Sequence, residues 1–277
     1  MRIVSHNQWK CDQNLDTWRA LGADCSAAVR TAGFAKLYEE LQPDLIGCQE
    51  VSFEMADCLQ QQLFARGLRY TLLWGRDTPI LYRTDKFEVL DADFFIYSEE
   101  FPGHEGSFNN QQTKSWCAAV LREKATGKLL AFMTTHLWWK SSNPADVTWY
   151  QAGSDEARAY QINLAMDKLE ELQKKYNCPA ILVGDLNSKV SHPALQAAFA
   201  RGFAHTHHLA KEAENSCGMH ECGGAGYGPL VPGVFEDSID HILLKGDVTA
   251  IHRFARYTPE YYAPLSDHAP VYIDMDL

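Results

Sequence analysis

The sequence contains no apolar run that approaches the ~20 residues needed for a membrane-spanning helix. Its first residues, MRIVSHNQWK, also lack an apolar stretch long enough for a secretion signal. Low-complexity segments, blocks of like charge and fixed-period repeats are missing as well. We therefore expect a soluble, cytoplasmic, monomeric protein in which residues 1–277 form a single domain.

Positive charge is scarce in this chain. Its 277 residues include 25 Lys and Arg against 36 Asp and Glu, which gives a formal net charge of -11. This balance argues against a broad basic surface for nucleic acid, and the basic residues form no run that could track a polynucleotide backbone. A narrow phosphate site is still compatible with it, because carboxylates around a divalent cation add to the negative total. We therefore expect a compact substrate, with nucleic acid as the alternative.

The cysteines do not form a recognisable framework. There are eight, and Cys48 and Cys117 lie in apolar, strand-like runs, which is typical of reduced core thiols. Two clusters contain residue types that bind zinc, namely Cys217, His220 and Cys222, and the histidines of 205–208. Their spacing fits no structural zinc pattern. We expect the Gly-rich loop 217–233 to form a wall of a cleft instead, with His220 as a candidate substrate contact.

Strand-like and helix-like segments are mixed along the chain. Strands are predicted at 2–7, 45–51, 70–74, 80–82, 87–97, 116–121, 129–138, 181–183, 238–243, 250–257 and 270–275. Helices are predicted at 27–41, at 54–68, and from an N-cap at Ser154 to Tyr176. The turn-forming ATGK between 116–121 and 129–138 predicts an antiparallel hairpin. Strands outnumber helices, and we expect the helices to cover the outer faces of the sheets that these strands form.

Polar side chains stand at the ends of several predicted strands. In ILVGDLNS, Asp185 and Asn187 follow a buried strand, and residues two apart on an extended chain face the same side. The other strand-end groups are Asn7, Glu50, His136, Asp240, Asp267 and His268. Each of these alone is explained by a helix cap, a turn or a hydrogen-bonded core histidine. Together they combine oxygen ligands suited to Mg²⁺ or Mn²⁺ with histidines that can hold phosphoryl oxygens.

Such a set of groups suits the hydrolysis of a phosphate ester. The ester resists attack because its anionic oxygens repel nucleophiles and its leaving oxygen must acquire charge. A cation, an imidazolium and amide donors counter both difficulties, and a carboxylate can orient or deprotonate water.

The order of these motifs resembles the exonuclease/endonuclease/phosphatase superfamily of metal-dependent phosphoesterases, which includes DNase-type nucleases, bacterial sphingomyelinases and inositol polyphosphate 5-phosphatases. The likeness covers nearly the whole chain, through Asn7, Gln49-Glu50, TTHL ending at Leu137, GDLNS at 184–188, SIDHI at 238–242 and SDH at 266–268. It implies an α+β fold, a four-layer α/β/β/α sandwich with two mixed, mainly antiparallel sheets. It also implies Mg²⁺ or Mn²⁺ as cofactor.

The resemblance also implies a role for each matching residue. Glu50 would be the principal metal ligand, with Asn7 and Asp267 beside it. Asp185 would activate the attacking water, and Asn187 would hold a phosphoryl oxygen. The histidines would contact the phosphate: His268, oriented by Asp240, at the scissile group, and His136 at the phosphoryl or leaving group. The chain departs from the family pattern at two positions. At His6 the family more often has Trp, and at His241 it often has Tyr. These differences leave the identity of the ester undetermined, because the flanking residues contact the substrate.

Five residues outside these motifs are further candidates for substrate binding. Trp138 and Trp139 are adjacent on a strand, so we expect one to form a stacking wall and the other to pack inward. Lys114, Lys140 and Arg158 could reach a phosphate, the alternative being solvated surface charge.

A noncatalytic binding protein that retains the scaffold is the rival hypothesis. A degenerate site should have lost at least one group that is costly to keep, yet every strand-end carboxylate and histidine is present. Four clustered carboxylates without a cation would be electrostatically unfavourable. We therefore expect a hydrolase of phosphate esters, whether phosphodiesterase, phosphatase or nuclease, and the fold alone leaves the ester open.

Overall fold

The computed structural model of the chain describes residues 1–11, 22, 24–214, 235–262 and 264–277. Its strands are β1 (Arg2–Asn7), β2 (Leu45–Gln49), β3 (Tyr70–Leu73), β4 (Ile80–Arg83), β5 (Phe87–Ile96), β6 (Ser115–Glu123), β7 (Leu129–His136), β8 (Ala180–Asp185), β9 (Ala204–His205), β10 (Glu212–Ala213), β11 (Asp240–Lys245), β12 (Ala250–Arg256) and β13 (Val271–Asp276). Its helices are α1 (Ala27–Leu41), α2 (Phe53–Ala65), α3 (Ser154–Tyr176), α4 (Pro193–Ala200) and α5 (Thr206–Leu209), with a 3₁₀ turn at Phe235–Asp237.

The strands form two mixed sheets. The first sheet has the order β10-β12-β13-β1-β2-β4-β3, and the second has the order β5-β6-β7-β8-β11-β9. In the first sheet β1 pairs parallel with β2, and β10 pairs parallel with β12. In the second sheet β7 pairs parallel with β8. The other strand pairs are antiparallel, so the predicted mixed, mainly antiparallel sheets are confirmed.

Three apolar clusters separate four layers. One joins α1 and α2 to the first sheet, and includes Phe34, Leu37, Met55, Leu59 and Ile46. A second joins α3 and α4 to the second sheet, and includes Ile162, Met166, Leu195 and Leu182. The third lies between the sheets, where Ile3, Ile273, Phe132, Ile181 and Val183 interdigitate. The predicted α/β/β/α sandwich is therefore confirmed.

A glycine lets the two sheets approach each other near the polar strand ends. A Cβ at Gly47 on β2 would lie 2.3 Å from Cγ2 of Val183 and 2.7 Å from Cβ of Thr134, both in the facing sheet. Gln49 also links the sheets, because its Nε2 donates a hydrogen bond of 2.9 Å to Oγ1 of Thr134. This close contact brings the end of β2 next to the ends of β7 and β8.

Most predicted elements appear within a few residues of their expected bounds, and the differences have local causes. Helix α3 begins at Ser154 rather than being capped by it, since Gly153 with φ 84° is the N-cap and Ser154 Oγ donates to the Gln151 carbonyl. Helix α4 was not predicted. Within the described ranges, no helix is both long enough and apolar enough to cross a membrane. Among the described residues, Cys11, Cys25, Cys48, Cys58, Cys117 and Cys178 are free thiols, as expected.

Candidate active site

Polar side chains converge at one edge of the two facing sheets because their strands are in register. In the second sheet His136 lies opposite Asp185 across parallel β7 and β8. On the other side of β8, Asp185 lies opposite Asp240 across antiparallel β11. In the first sheet Asn7 lies opposite Gln49, the residue before Glu50. The pairing therefore sets carboxylates, an imidazole and an amide side by side at this edge.

Two turns leave the sheets at this edge with unusual backbone geometry. Glu50 has φ 56° and Asn187 has φ 46°, in the left-handed region that residues other than glycine seldom adopt. Strand β2 therefore stops at Gln49, earlier than predicted. Strand β8 ends at Asp185, so the extended-chain argument for Asn187 was wrong. The Nδ2 of Asn187 instead donates a hydrogen bond of 3.1 Å to the Leu137 carbonyl.

Asp185 is the central carboxylate of the cluster and is 2% exposed. Its Oδ1 accepts a 3.0 Å hydrogen bond from the backbone N–H of Asn187, and its Oδ2 accepts one of 3.0 Å from Nδ2 of Asn7. The Nε2 atoms of His136 and His268 lie 3.5 Å and 3.8 Å from Oδ2. Burial raises the pKa of Asp185 to about 7, with His268 opposing the shift. Such a pKa suits a base that works near neutrality.

His268 and Asp240 form a buried pair. His268 Nδ1 lies 2.9 Å from Asp240 Oδ2. Burial alone lowers the pKa of His268, but the carboxylates of Asp240, Asp267 and Asp185 outweigh it and raise that pKa well above its ordinary value. Burial alone raises the pKa of Asp240, but His268 outweighs it, and the net shift is downward. The pair is therefore an imidazolium and a carboxylate, with Nε2 of His268 directed toward Asp185.

The acidic side of the cluster fits a divalent cation. Ligand atoms of Glu50, His136 and Asp185 all lie within 4.8 Å of one another. Asp267 lines the same cleft as Glu50, and within the described part of the chain its buried Oδ1 has no hydrogen-bond partner. Burial raises the pKa of Asp267 to about 6, and Glu50 adds to the shift while His268 opposes it. An unsatisfied carboxylate oxygen near a second carboxylate is an environment that a hard cation stabilises.

Asn7 does not direct its oxygen at this acidic side. Its Oδ1 accepts a hydrogen bond of 2.9 Å from the backbone N–H of Trp9. Its Nδ2 donates to Glu50 Oε1 at 3.1 Å and to Asp185 Oδ2 at 3.0 Å. The amide therefore holds the two carboxylates in place, and the ligand role of Asn7 stays a prediction.

His136 is 1% exposed and has a lysine beside it. Lys114 Nζ lies 2.6 Å from His136 Nε2 and 3.2 Å from Nδ1. Burial lowers the pKa of His136 well below its ordinary value, and Lys114 lowers it further, so the imidazole is neutral. Burial also lowers the pKa of Lys114, although the carboxylates of Glu50, Asp185 and Asp77 oppose this.

A cleft of about 460 Å³ opens above these groups. It is lined by Trp9, Glu50, Asn110, Gln111, Thr113, Lys114, His136, Trp139, Trp149 and Asp267. The rings of Trp139 and Trp149 meet edge to face, with centroids 5.1 Å apart. The sequence reasoning missed Trp9, Trp149 and the segment 110–113, because no motif or periodicity singles them out. The cleft joins the polar cluster to an aromatic wall.

Of the predicted substrate contacts, Trp139 and Lys114 line the cleft and three others do not. Trp138 is fully buried, with its ring 5.9 Å from that of Phe108, so Trp138 is the inward member of the Trp pair.

Arg158 is 3% exposed, and its Nη1 donates to the carbonyls of Trp138 at 3.1 Å and Lys140 at 2.7 Å. Lys140 Nζ lies 6.0 Å from the rings of both tryptophans, outside the lining. Arg158 and Trp138 thus support the wall from behind. His220 and loop 217–233 lie outside the described residues.

The two residues that depart from the family pattern, His6 and His241, do not line the cleft. His6 is buried between two hydroxyl groups, with Tyr38 2.7 Å from Nδ1 and Tyr262 2.8 Å from Nε2. His241 Nδ1 lies 3.0 Å from His205 Nε2, and its Nε2 donates to the Ser188 carbonyl at 2.8 Å. Burial lowers the pKa of His6 to about 3 and that of His241 to about 4. Both are buried neutral residues, and neither is among the described residues that line the cleft.

The chain is similar to several solved structures along its whole length. A mannosyl-6-phosphatase from Bacteroides thetaiotaomicron is 22% identical, with a TM-score of 0.74 and coverage of 100% of both chains. An endonuclease/exonuclease/phosphatase protein from Bacteroides vulgatus is 20% identical, with a TM-score of 0.73, covering 100% of this chain and 98% of that one. TDP2 of D. rerio, solved with a single-strand DNA product, is 19% identical, with a TM-score of 0.64, covering 99% of this chain and 97% of that one.

These likenesses, at low identity, show a shared fold. A search of curated proteins found no match. Residues 17–268 match the profile of the Endonuclease/Exonuclease/phosphatase family, and the chain therefore belongs to that family.

Proposed function

We propose that this protein hydrolyses a compact phosphate ester by in-line attack of water, with Mg²⁺ or Mn²⁺ as cofactor. The observation that carries the proposal is the setting of Asp185. This buried carboxylate lies within 4 Å of two histidines and a carboxamide, and an acidic pair that fits a cation lies beside it. Family members are hydrolases of phosphate esters, which agrees with this chemistry.

Glu50 and Asp267 would hold the cation, and Asn7 would keep the Glu50 carboxylate oriented through its 3.1 Å hydrogen bond. When bound, a divalent cation polarises a phosphoryl oxygen and offsets its developing charge. A cation there also favours the ionised form of nearby carboxylates, so the pKa of Asp185 would fall below about 7 in the loaded enzyme.

Asp185 would orient the attacking water and take its proton at Oδ2, the oxygen that faces both histidines. His268, charged and fixed by Asp240, would donate from Nε2 to a phosphoryl oxygen. Neutral His136 would lie on the leaving-group side, with its Nε2 accepting from the ammonium of Lys114 at 2.6 Å. The backbone conformation of Asn187 places its N–H on Asp185, so this residue would orient the base in addition to any contact with phosphate.

The cleft supports a compact substrate. Its volume, about 460 Å³, lies in the range of pockets that hold small molecules. The edge-to-face pair of Trp139 and Trp149 offers a wall for the face of a ring. A sugar phosphate is the first candidate, in keeping with the named activity of the Bacteroides thetaiotaomicron neighbour. A nucleic acid end is the second candidate, because the D. rerio neighbour was solved with single-strand DNA.

A panel of phosphate esters tests this proposal. The panel contains sugar phosphates, mononucleotides, p-nitrophenyl phosphate, bis(p-nitrophenyl) phosphate and single-stranded or duplex DNA. We expect the highest kcat/KM among the small esters, only with Mg²⁺ or Mn²⁺. If long DNA or RNA is cleaved with a far higher kcat/KM and a steep salt dependence, the compact-substrate proposal is wrong.

Glu50→Gln should raise the Mn²⁺ concentration needed for half-maximal activity by at least about tenfold, because a neutral amide replaces a charged ligand. The measurement is a Mn²⁺ titration of ester hydrolysis after removal of metal by chelation. Glu54→Gln, at an exposed position on α2, is the matched control and should leave the midpoint unchanged. Full activity of the wild-type protein in excess chelator would refute the metal requirement.

Trp149→Ala should raise KM for ring-bearing esters roughly tenfold, since an aromatic stacking contact is worth about 1–3 kcal/mol. The value of kcat should change little, because Trp149 lies on the wall and not among the ionisable groups. Phe64→Ala removes another exposed ring, 86% accessible on α2, and serves as the control. An unchanged KM for Trp149→Ala would remove the stacking wall from the proposal.

A further inference from the structure

Lys114 is a buried lysine that faces the cleft, and among the described residues no carboxylate lies within ion-pair distance of it. It is 4% exposed and lines the cleft. Within the described ranges its ammonium forms no ion pair, and its close polar neighbour is the neutral imidazole of His136, 2.6 Å from Nζ. Burying an unpaired cation is unfavourable, so this position favours an anionic ligand in the cleft.

The main chain around Lys114 is fixed by one buried side chain. Asn109 is 1% exposed, and its Oδ1 accepts a 2.9 Å hydrogen bond from the Lys114 N–H. Its Nδ2 donates to the Lys114 carbonyl at 2.9 Å and to the Tyr97 carbonyl at 2.6 Å. Lys114 directly precedes β6, so a braced loop and a strand both hold it at the cleft wall.

Lys114 is also the one lysine or arginine among the described residues that line the cleft. A phosphomonoester carries about -1.5 to -2 charge near pH 7 and has three terminal oxygens. A phosphodiester carries a single charge and has two such oxygens. A second positive group in the site therefore favours the monoester, whose extra charge and extra oxygen need a partner.

We propose that Lys114 binds a terminal oxygen of the scissile phosphate and makes the enzyme selective for phosphomonoesters over phosphodiesters. This inference rests on the proposed function and specifies its substrate class. His268 and Lys114 would then contact different terminal oxygens, and the ester oxygen would point toward the aromatic wall.

The test compares Lys114→Gln with the control Lys175→Gln, an exposed lysine on α3 whose side chain is 57% accessible. For p-nitrophenyl phosphate, kcat/KM should fall roughly a hundredfold in Lys114→Gln, the scale for loss of a buried charged contact. For bis(p-nitrophenyl) phosphate the loss should stay below about fivefold. Lys175→Gln should match the wild-type protein on both esters. Equal losses on the two esters, or a wild-type preference for the diester, would overturn the proposal.

A binding measurement separates this inference from the proposed function. Inorganic phosphate should raise the Tm of the wild-type and Lys175→Gln proteins in Mg²⁺, but raise that of Lys114→Gln much less. If the wild-type protein hydrolyses neither ester, the proposed function fails, while the phosphate-induced shift still tests Lys114 as an anion ligand. An equal shift in Lys114→Gln and the wild type would contradict the role of Lys114.

Discussion

Asp185→Asn should lower kcat by roughly a hundredfold or more while KM changes by less than about threefold. The substitution keeps the size of the side chain but removes the group that takes a proton from water. Asp185 accepts hydrogen bonds from Asn187 and Asn7, and two histidine nitrogens lie within 4 Å of its Oδ2. Among the described carboxylates, this combination of contacts is found at Asp185 alone.

The measurement is steady-state hydrolysis of the best ester in the panel, with circular dichroism to verify folding. Asp57→Asn, at an exposed position on α2, is the matched control and should behave as the wild type. If Asp185→Asn retains wild-type kcat, the base lies elsewhere. If wild-type protein binds phosphate esters without turnover, the noncatalytic hypothesis is correct.

His268→Ala and Asp240→Ala should give strongly non-additive losses. We expect about a thousandfold loss in kcat/KM for His268→Ala and a smaller loss for Asp240→Ala. The double variant should resemble His268→Ala alone, because Asp240 acts through the 2.9 Å contact that orients and charges His268. A double-mutant cycle on kcat/KM gives the coupling directly.

A second His-Asp pair in the same protein provides the control. His252 Nε2 lies 2.8 Å from Asp276 Oδ2, but these side chains are 42% and 59% exposed on β12 and β13. The same cycle at this pair should show neither loss nor coupling. Additive, independent losses at His268 and Asp240 would show that they are not a working pair.

Local patterns were sufficient for most of the secondary structure. Strand β1 and helix α1 have the bounds read from the sequence, because apolar spacing and the Pro43-Asp44 breaker are local signals. The strand-end carboxylates and histidines also lie together, because parallel β1/β2 and β7/β8 end at the same edge. What the sequence could predict was therefore the set of polar groups and the edge at which they meet.

Side-chain direction depended on tertiary contacts and could not be predicted. The amide of Asn7 directs its nitrogen at two carboxylates, while its oxygen accepts from the backbone N–H of Trp9. Arg158 carries a charge that suits phosphate, yet the carbonyls of Trp138 and Lys140 bind it behind the wall. Both outcomes depend on neighbours that the sequence order does not reveal.

Only part of the aromatic wall was predicted, because the rest depends on tertiary contacts as well. Adjacent Trp138 and Trp139 implied that one ring faces inward, and the structure assigns that position to Trp138. Trp149 was missed because it lies in an irregular segment that carries no periodicity. Its contact with Trp139 appears only once the chain folds back along the cleft.

Anomalous diffraction from wild-type crystals soaked in Mn²⁺ tests the central claim most directly, because it locates the cation independently of turnover. The account predicts a peak in the cleft at about 2 Å from the Glu50 carboxylate, with the Asp267 carboxylate beside it. Glu50→Gln crystals treated in the same way should show a much weaker peak. A Mn²⁺ ion bound only elsewhere, in crystals of a protein that still hydrolyses phosphate esters, would contradict the account.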